Sequence, residues 1–151
     1  MYILDTNIIS ELSPAKRTPD ASLVAWLRRN GAHCYLSAVT LTEIAYGITL
    51  LRQRGATAKA RRLGAWLDEV VGFHTEHIIA VDIDIALRAG VLLAVARSTG
   101  VEPDIEDSWI AASAELNGMA VVTRNDADFR PMGVAVHNPA VGLPPDVLPT
   151  T

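Results

Sequence analysis

Met1-Tyr2-Ile3-Leu4-Asp5-Thr6-Asn7-Ile8-Ile9-Ser10-Glu11 opens the chain, and its reading decides the fold. Tyr2 to Leu4 is apolar, too short for a helix and followed by polar residues, so it reads as a fully buried strand that ends at Asp5. In an open α/β sheet, loops and helix N-termini gather beyond the carboxyl ends of the strands and form one crevice. An acid delivered there is a candidate functional group. The plainer alternative is that Asp5 only caps the turn after it, a position Asp favours.

Working outward, short apolar runs alternate with helical periods. Thr6 to Leu12 suggests a short helix closed by Ser13-Pro14. Thr18-Pro19-Asp20 reads as a helix start, with Thr18 as cap, Pro19 at the first position, and Leu23, Trp26 and Leu27 on one face. Cys34 to Leu36 reads as a strand, followed by a helix from about Leu41 to Gln53 and another from Thr57 to Val71. His77 to Val81 is a third strand candidate, and Asp82 opens a helix that runs to Gly100. Glu102-Pro103-Asp104 starts the next helix, which closes at Asn117-Gly118. Met119 to Thr123 and Val134 to Val136 are the last strand candidates. This alternation implies parallel strands joined by crossovers: a three-layer α/β/α domain around a mostly parallel sheet of about five strands. Residues 1–139 form that domain. Residues 140–151 read as a Pro-rich, loosely attached C-terminal tail.

Bulk properties agree and exclude some classes. A chain of 151 residues fits one domain with a substantial core. Half of it is hydrophobic but only 5% aromatic, so small aliphatic side chains must fill that core, as suits a helix-covered parallel sheet. The single cysteine, Cys34, allows no internal disulfide, and neither a signal peptide nor a membrane span is apparent. A cytoplasmic location without membrane association is the expectation. A net charge of −4 argues against global attraction to nucleic acid while leaving room for a local basic patch. His74 and His77 read as loop residues, because no Cys/His array has zinc-ligand spacing.

Four places join an acid to a strand end or a helix start: Asp5, Glu43, the Asp104/Asp107 pair, and the Asn125-Asp126-Ala127-Asp128 loop. In the expected fold all could face one crevice. Carboxylates about 4 Å apart repel by ~4 kcal/mol at an effective dielectric of ~20, so such a cluster needs protons or a cation. Oxygen-only ligands favour Mg2+ or Mn2+ over zinc, and such an ion can activate water. Each acid also has a structural alternative. Thr40-x-x-Glu43 fits a capping box, Asp104 and Asp107 favour a first helical turn through the helix dipole, and the Asn125 loop could be a solvated turn.

Ile3-Leu4-Asp5-Thr6-Asn7, Thr42-Glu43-Ile44-Ala45-Tyr46-Gly47, Glu106-Asp107-Ser108-Trp109-Ile110-Ala111-Ala112, Val122-Thr123-Arg124-Asn125 with Asp128-Phe129, and Val136-His137-Asn138-Pro139 resemble, in this order, a PIN-domain protein. The nearest flavour is the VapC/FitB-like toxin ribonuclease of type II toxin–antitoxin pairs, over about residues 1–139. The resemblance implies a Mg2+- or Mn2+-dependent endoribonuclease that hydrolyses RNA phosphodiester bonds with a metal-activated water. It also implies inhibition by a small antitoxin, and a homodimer as well as a toxin–antitoxin hetero-oligomer. By position, Asp5, Glu43 and Asp107 match the catalytic acids, with Asp5 and Asp107 on the metal and Asp104 auxiliary. Thr6, Asn7 and Thr123 would position ligands or water. Where the family can carry a fourth acid this chain has Asn125, which leaves one or two metal ions open; Asp126 is the neighbouring substitute. Asn125 also keeps an alternative in play: a catalytically weak or silent PIN-like module that acts mainly by binding an antitoxin-like partner.

An acidic crevice repels RNA, so flanking phosphates need basic groups. Arg124 is one candidate, and Arg52, Arg54, Lys59, Arg61 and Arg62 form a local basic run that could equally be a solvated helix face. Apolar residues around Trp26 and around Ile44, Ile48 and Leu51 could serve the core or a partner. The RNA target, the cleavage sequence and the antitoxin are not legible in the sequence.

Overall fold

The first strand sets the layering, because successive side chains of a strand point to opposite faces. A computed structural model of the chain describes residues 1–147. Strand β1 (Tyr2–Leu4) runs through Asp5 into α1 (Thr6–Ile9) and a single 3-10 turn, Ser10–Leu12. Then come α2 (Ala21–Asn30), β2 (Cys34–Ser37), α3 (Ala38–Gln53), α4 (Thr57–Phe73), β3 (Ile78–Ile79), α5 (Ile83–Ser98), α6 (Ile105–Leu116), β4 (Ala120–Val122), α7 (Asp126–Phe129) and β5 (Val136–His137). The sheet order is β3-β2-β1-β4-β5, and every pairing is parallel.

Tyr2 and Leu4 join Trp26, Leu27, Ile44, Ile48, Trp66 and Val70 in a core under α2, α3 and α4. Ile3 faces the other way and joins Ile85, Ala89, Leu92, Ile110 and Ala112 under α5 and α6. This is the expected three-layer α/β/α arrangement. Trp26, Ile44 and Ile48 are buried in the core, and Leu51 packs partly buried against it.

Several boundaries move, each for a local reason. Asp20, not Thr18, caps α2: its Oδ1 accepts hydrogen bonds from the amides of Ser22 and Leu23, leaving Pro19 outside the helix. Helix α3 begins at Ala38, because the Ser37 hydroxyl accepts from the Val39 amide. The Thr40 to Glu43 capping box therefore does not form, and Thr40 is buried inside the first turn. Strand β3 shrinks to Ile78–Ile79 because β2, its only neighbour, enters α3 after Ser37 pairs with Ile79. Strand β5 pairs at Val136 and His137, one residue later than expected at its end. The buried Cys34 thiol is pushed up to about 12 by desolvation, which suits a core residue.

Part of the tail expected to be loose is docked. Tyr2 donates its hydroxyl to the Pro145 carbonyl at 2.8 Å. The Asn30 amide donates to Asp146 at 2.7 Å, and its oxygen accepts from the Val147 amide at 2.9 Å. Asn30 is buried and needs these partners. The end of the expected tail, residues 148–151, lies outside the described residues.

Candidate active site

Strands leave β1 in opposite directions, toward β2 and β3 on one side and toward β4 and β5 on the other. The order reverses between β1 and β4, the switch point where open α/β sheets hold ligands. Asp5 ends β1 and Thr123 follows β4, so both stand at that crevice. Their contact is direct: the Thr123 hydroxyl donates to Asp5 Oδ2 at 2.6 Å.

Asp5 is only 6% exposed and is fully oriented by its neighbours. Its Oδ1 accepts from the Thr6 amide at 2.6 Å, and its Oδ2 also accepts from Asn7 Nδ2 at 2.6 Å. The Asn7 amide reaches Thr123 Oγ1 at 3.2 Å, while its oxygen accepts from the Arg124 amide. Thr123 Oγ1 accepts in addition from the Asn125 amide at 2.9 Å. Asp5 is therefore both the cap of α1 and the centre of a network, so the capping reading and the functional one coexist. The Thr6 hydroxyl donates to Glu43 Oε2, bridging α1 to α3.

The electrostatics are those of crowded acids. Burial pushes Asp107 up to about 7, helped by the charges of Asp5, Asp128 and Asp104. Burial also raises Glu43; its hydrogen bond from Thr6 opposes this, and Asp5, Glu106 and Asp104 reinforce it. Desolvation raises Asp5 despite its three hydrogen bonds, with Asp128 adding repulsion. Asp104 caps α6 by position, yet its side chain makes no capping hydrogen bond. Glu43 and Asp107 are thus each brought within electrostatic reach of Asp5 and of Asp104. Among the described residues, no Lys or Arg side chain bonds Asp5, Glu43 or Asp107.

Asp126 does not fill the fourth position. Its Oδ2 is held by Arg130 at 2.8 Å and its Oδ1 by Asn138 at 2.7 Å, and these partners lower its pKa. Asn125 is exposed. The residue that reaches the acids is Asp128, which sequence reasoning quoted without assigning a role. No signal in the sequence separates Asp126 from Asp128; in the structure the Asp128 amide bonds the Asn125 carbonyl in the short turn of α7. Arg124 is likewise diverted from phosphate binding: its guanidinium pairs with buried Glu11 and lies 3.8 Å from Asp20. The basic run Arg52 to Arg62 lies exposed on the end of α3 and the start of α4. Arg52 and Arg61 line a concavity of about 460 Å³ there, with Asp68 opposite. His74 is buried at the end of α4, and His77 sits in the turn before β3, against the edge of Tyr35.

The donor set is chemically right for a hard cation: all oxygen, shielded, and short of positive charge. The carboxylates feel one another strongly, although among the described residues no three His, Cys, Asp or Glu side chains converge closely enough to form a finished ion cage.

A doubly wound α/β domain with un-neutralised acids at its switch point is the class that this fold and site define. The PIN domain family matches residues 2–134, and the chain belongs to that family. It is similar to VapC ribonuclease Y4jK of Sinorhizobium fredii, at 32% identity over 92% of this chain and 97% of the relative. It is also similar to Toxin FitB of Neisseria gonorrhoeae, at 33% identity over 92% and 98%. A crystal structure of FitAcB from Neisseria gonorrhoeae superposes with a TM-score of 0.81 at 32% identity, covering 93% of this chain and 99% of that one.

Proposed function

We propose that this chain is a Mg2+- or Mn2+-dependent endoribonuclease and the toxin of a toxin–antitoxin pair. The carrying observation is the set of acids from β1, α3 and α6 at the switch point, with Asp107 raised to about 7 and no basic side chain to offset it. Similarity to a named VapC ribonuclease and a named toxin supports the substrate class and the partner.

Asp5 and Asp107 are the residues that would hold the cation, which when bound supplies neutralising charge for the scissile phosphate and acidifies water. The chain does the rest. The Thr6 amide, Asn7 and Thr123 fix both oxygens of Asp5; Oδ2 accepts two of these bonds and Oδ1 one, so Oδ1 keeps a lone pair for the cation in an orientation set in advance. Glu43 spends Oε2 on the Thr6 hydroxyl. Its Oε1 is free to accept a proton from the attacking water, and the upward shift that burial imposes makes the carboxylate a stronger base than an exposed Glu. Phosphates flanking the cut meet the exposed Arg52 to Arg62 stretch rather than Arg124.

The antitoxin would use a different surface. A concavity of about 460 Å³ between α2 and α4 is lined mainly by apolar groups, including Leu12, Leu27, Trp66, Val70 and Phe73. Leu12 and Phe73 are exposed there. Such a lining suits an apolar segment of a protein and not a phosphate chain.

The exposed Asn125, in place of a fourth acid, favours the second reading: a module of weak or no activity whose work is to bind its partner. Expressing the chain with and without Asp5→Asn, and following growth and RNA integrity, separates the two. Toxicity and RNA loss confined to the unaltered chain support the nuclease. Equal toxicity of both forms would overturn it.

A further inference from the structure

Helix α3 carries Glu43 at the crevice and runs from there to Arg54 at its C-terminal end, about 16 Å away at the rise of an α-helix. No acid follows Glu43 on this stretch, and the exposed positions before Arg52 are Ala45, Tyr46 and Thr49. The Thr42 and Thr49 hydroxyls are spent on the Ala38 and Ala45 carbonyls of the helix itself. Tyr46, 64% exposed, is therefore the one large exposed side chain between the acids and the cations. It follows Glu43 by three residues and so lies one turn along on an adjoining face. Helical side chains lean toward the N-terminus, which carries its ring over the turn of Thr42 and Glu43 and toward the crevice. Gly47 follows Glu43 by four residues, and a Cβ built there meets no atom of the rest of the chain within 4 Å. Packing does not require a glycine at this position, and inside a helix glycine destabilises relative to Ala. What it leaves is a bare strip of helix beside the ring.

We propose that Tyr46 and Gly47 form a stacking subsite for one unpaired base of the RNA next to the scissile phosphate, with the strand continuing along α3 to Arg52 and Arg54. The inference rests on the ribonuclease reading and adds where a base goes. The Tyr46 ring takes the face of the base, and the missing side chain at Gly47 lets the base edge approach the helix backbone. Such a ring is indifferent to which base it meets but needs that base unstacked from its neighbours, so the subsite selects single-stranded RNA over duplex. A lone ring between acids and cations fits a base better than a protein segment, which takes a contiguous apolar patch.

Fluorescence anisotropy tests this with an end-labelled single-stranded RNA and with the same sugar–phosphate backbone lacking its bases. All variants are made on the full Asp5→Asn chain with Mn2+ present, so that the strand stays uncut. The expected result is that Tyr46→Ala weakens RNA binding about tenfold, that Tyr46→Phe does not, and that neither alters binding of the base-free backbone. Gly47→Ala should raise the melting temperature and yet weaken RNA binding, a pairing that a purely structural glycine would not give. The proposal is overturned if Tyr46→Ala binds RNA as tightly as the parent chain, or if it loses the base-free backbone equally. It is also overturned if Tyr46→Ala changes only the mass of the chain in sedimentation, which would assign the ring to a protein contact. Failure of the ribonuclease reading shows separately, as RNA that the chain with Asp5 intact never cuts, whichever way Tyr46 behaves.

Discussion

Two shielded acids, Glu11 in the turn after α1 and Asp107 in the first turn of α6, behave oppositely. Burial drives the Glu11 carboxyl up, but hydrogen bonds from Lys16, Arg124 and the Asp20 amide outweigh it and hold Glu11 at about 2. At Asp107 burial acts the same way, but the neighbours are other acids, and the carboxyl rises to about 7. Glu11 ties the turn after α1 to the start of α2 and to the loop after β4. It is structural, a buried charge with all its partners supplied. The crevice acids are arranged at the expense of stability, and that is what a site awaiting a cation or a proton looks like.

The largest effects should come from breaking each side of that comparison. Asp5→Asn and Asp107→Asn should each lower RNA cleavage by at least about a hundredfold, in line with loss of one preorganised electrostatic group, while the circular dichroism spectrum stays unchanged. Glu11→Gln should do the reverse. It should lower unfolding free energy in urea by about 3 kcal/mol, because it strips the negative partner from Lys16 and Arg124, with cleavage per folded molecule unaltered.

The pH dependence sharpens the contrast. Glu11 sits below its ordinary value of 4.5, so its contribution is present above that value and is lost as pH falls toward about 2. Asp107 sits above its ordinary 3.8, so its contribution is present below that value and is lost as pH rises toward about 7. Thermal unfolding of the metal-free chain should therefore weaken at both ends. Asp107→Asn should remove the upper loss and stabilise the metal-free chain at pH 8 by about 1–2 kcal/mol after solvent screening. A smaller effect is expected at Asp128: Asp128→Asn should shift the upper inflection to lower pH, because one of the charges raising Asp107 is gone. Smallest of all, Arg52→Ala should reduce the salt slope of RNA binding by about one, visible in a titration across ionic strength.

What the sequence disclosed follows from the range of the forces involved. The buried strand ending at Asp5 was legible because three apolar residues followed by polar ones carry their own pattern. The parallel sheet followed from the alternation, and strand ends and helix starts pointed to Asp5, Glu43 and the Asp104/Asp107 pair as candidates, the choice of Asp107 resting on the resemblance. The start of α3 was not, since Val39 and Thr40 are β-branched and Ser37 caps from inside the strand's last residue. Arg124 was misread because its direction is set by Glu11, more than a hundred positions away, which itself looks like an ordinary turn acid. Asp126 and Asp128 are indistinguishable in sequence, and only Arg130 and Asn138 decide which one turns from the crevice. The docked tail depends on buried Asn30, a requirement that appears only when the helix carrying it is packed.

The most direct test of the central claim is cleavage of RNA by the purified chain with Mn2+, with EDTA in place of Mn2+, and with Mn2+ after Asp5→Asn. Cleavage only by the unaltered chain with Mn2+ is the expected result. Cleavage that persists in EDTA, or that survives Asp5→Asn undiminished, would contradict the assignment of the acidic crevice as the cutting site.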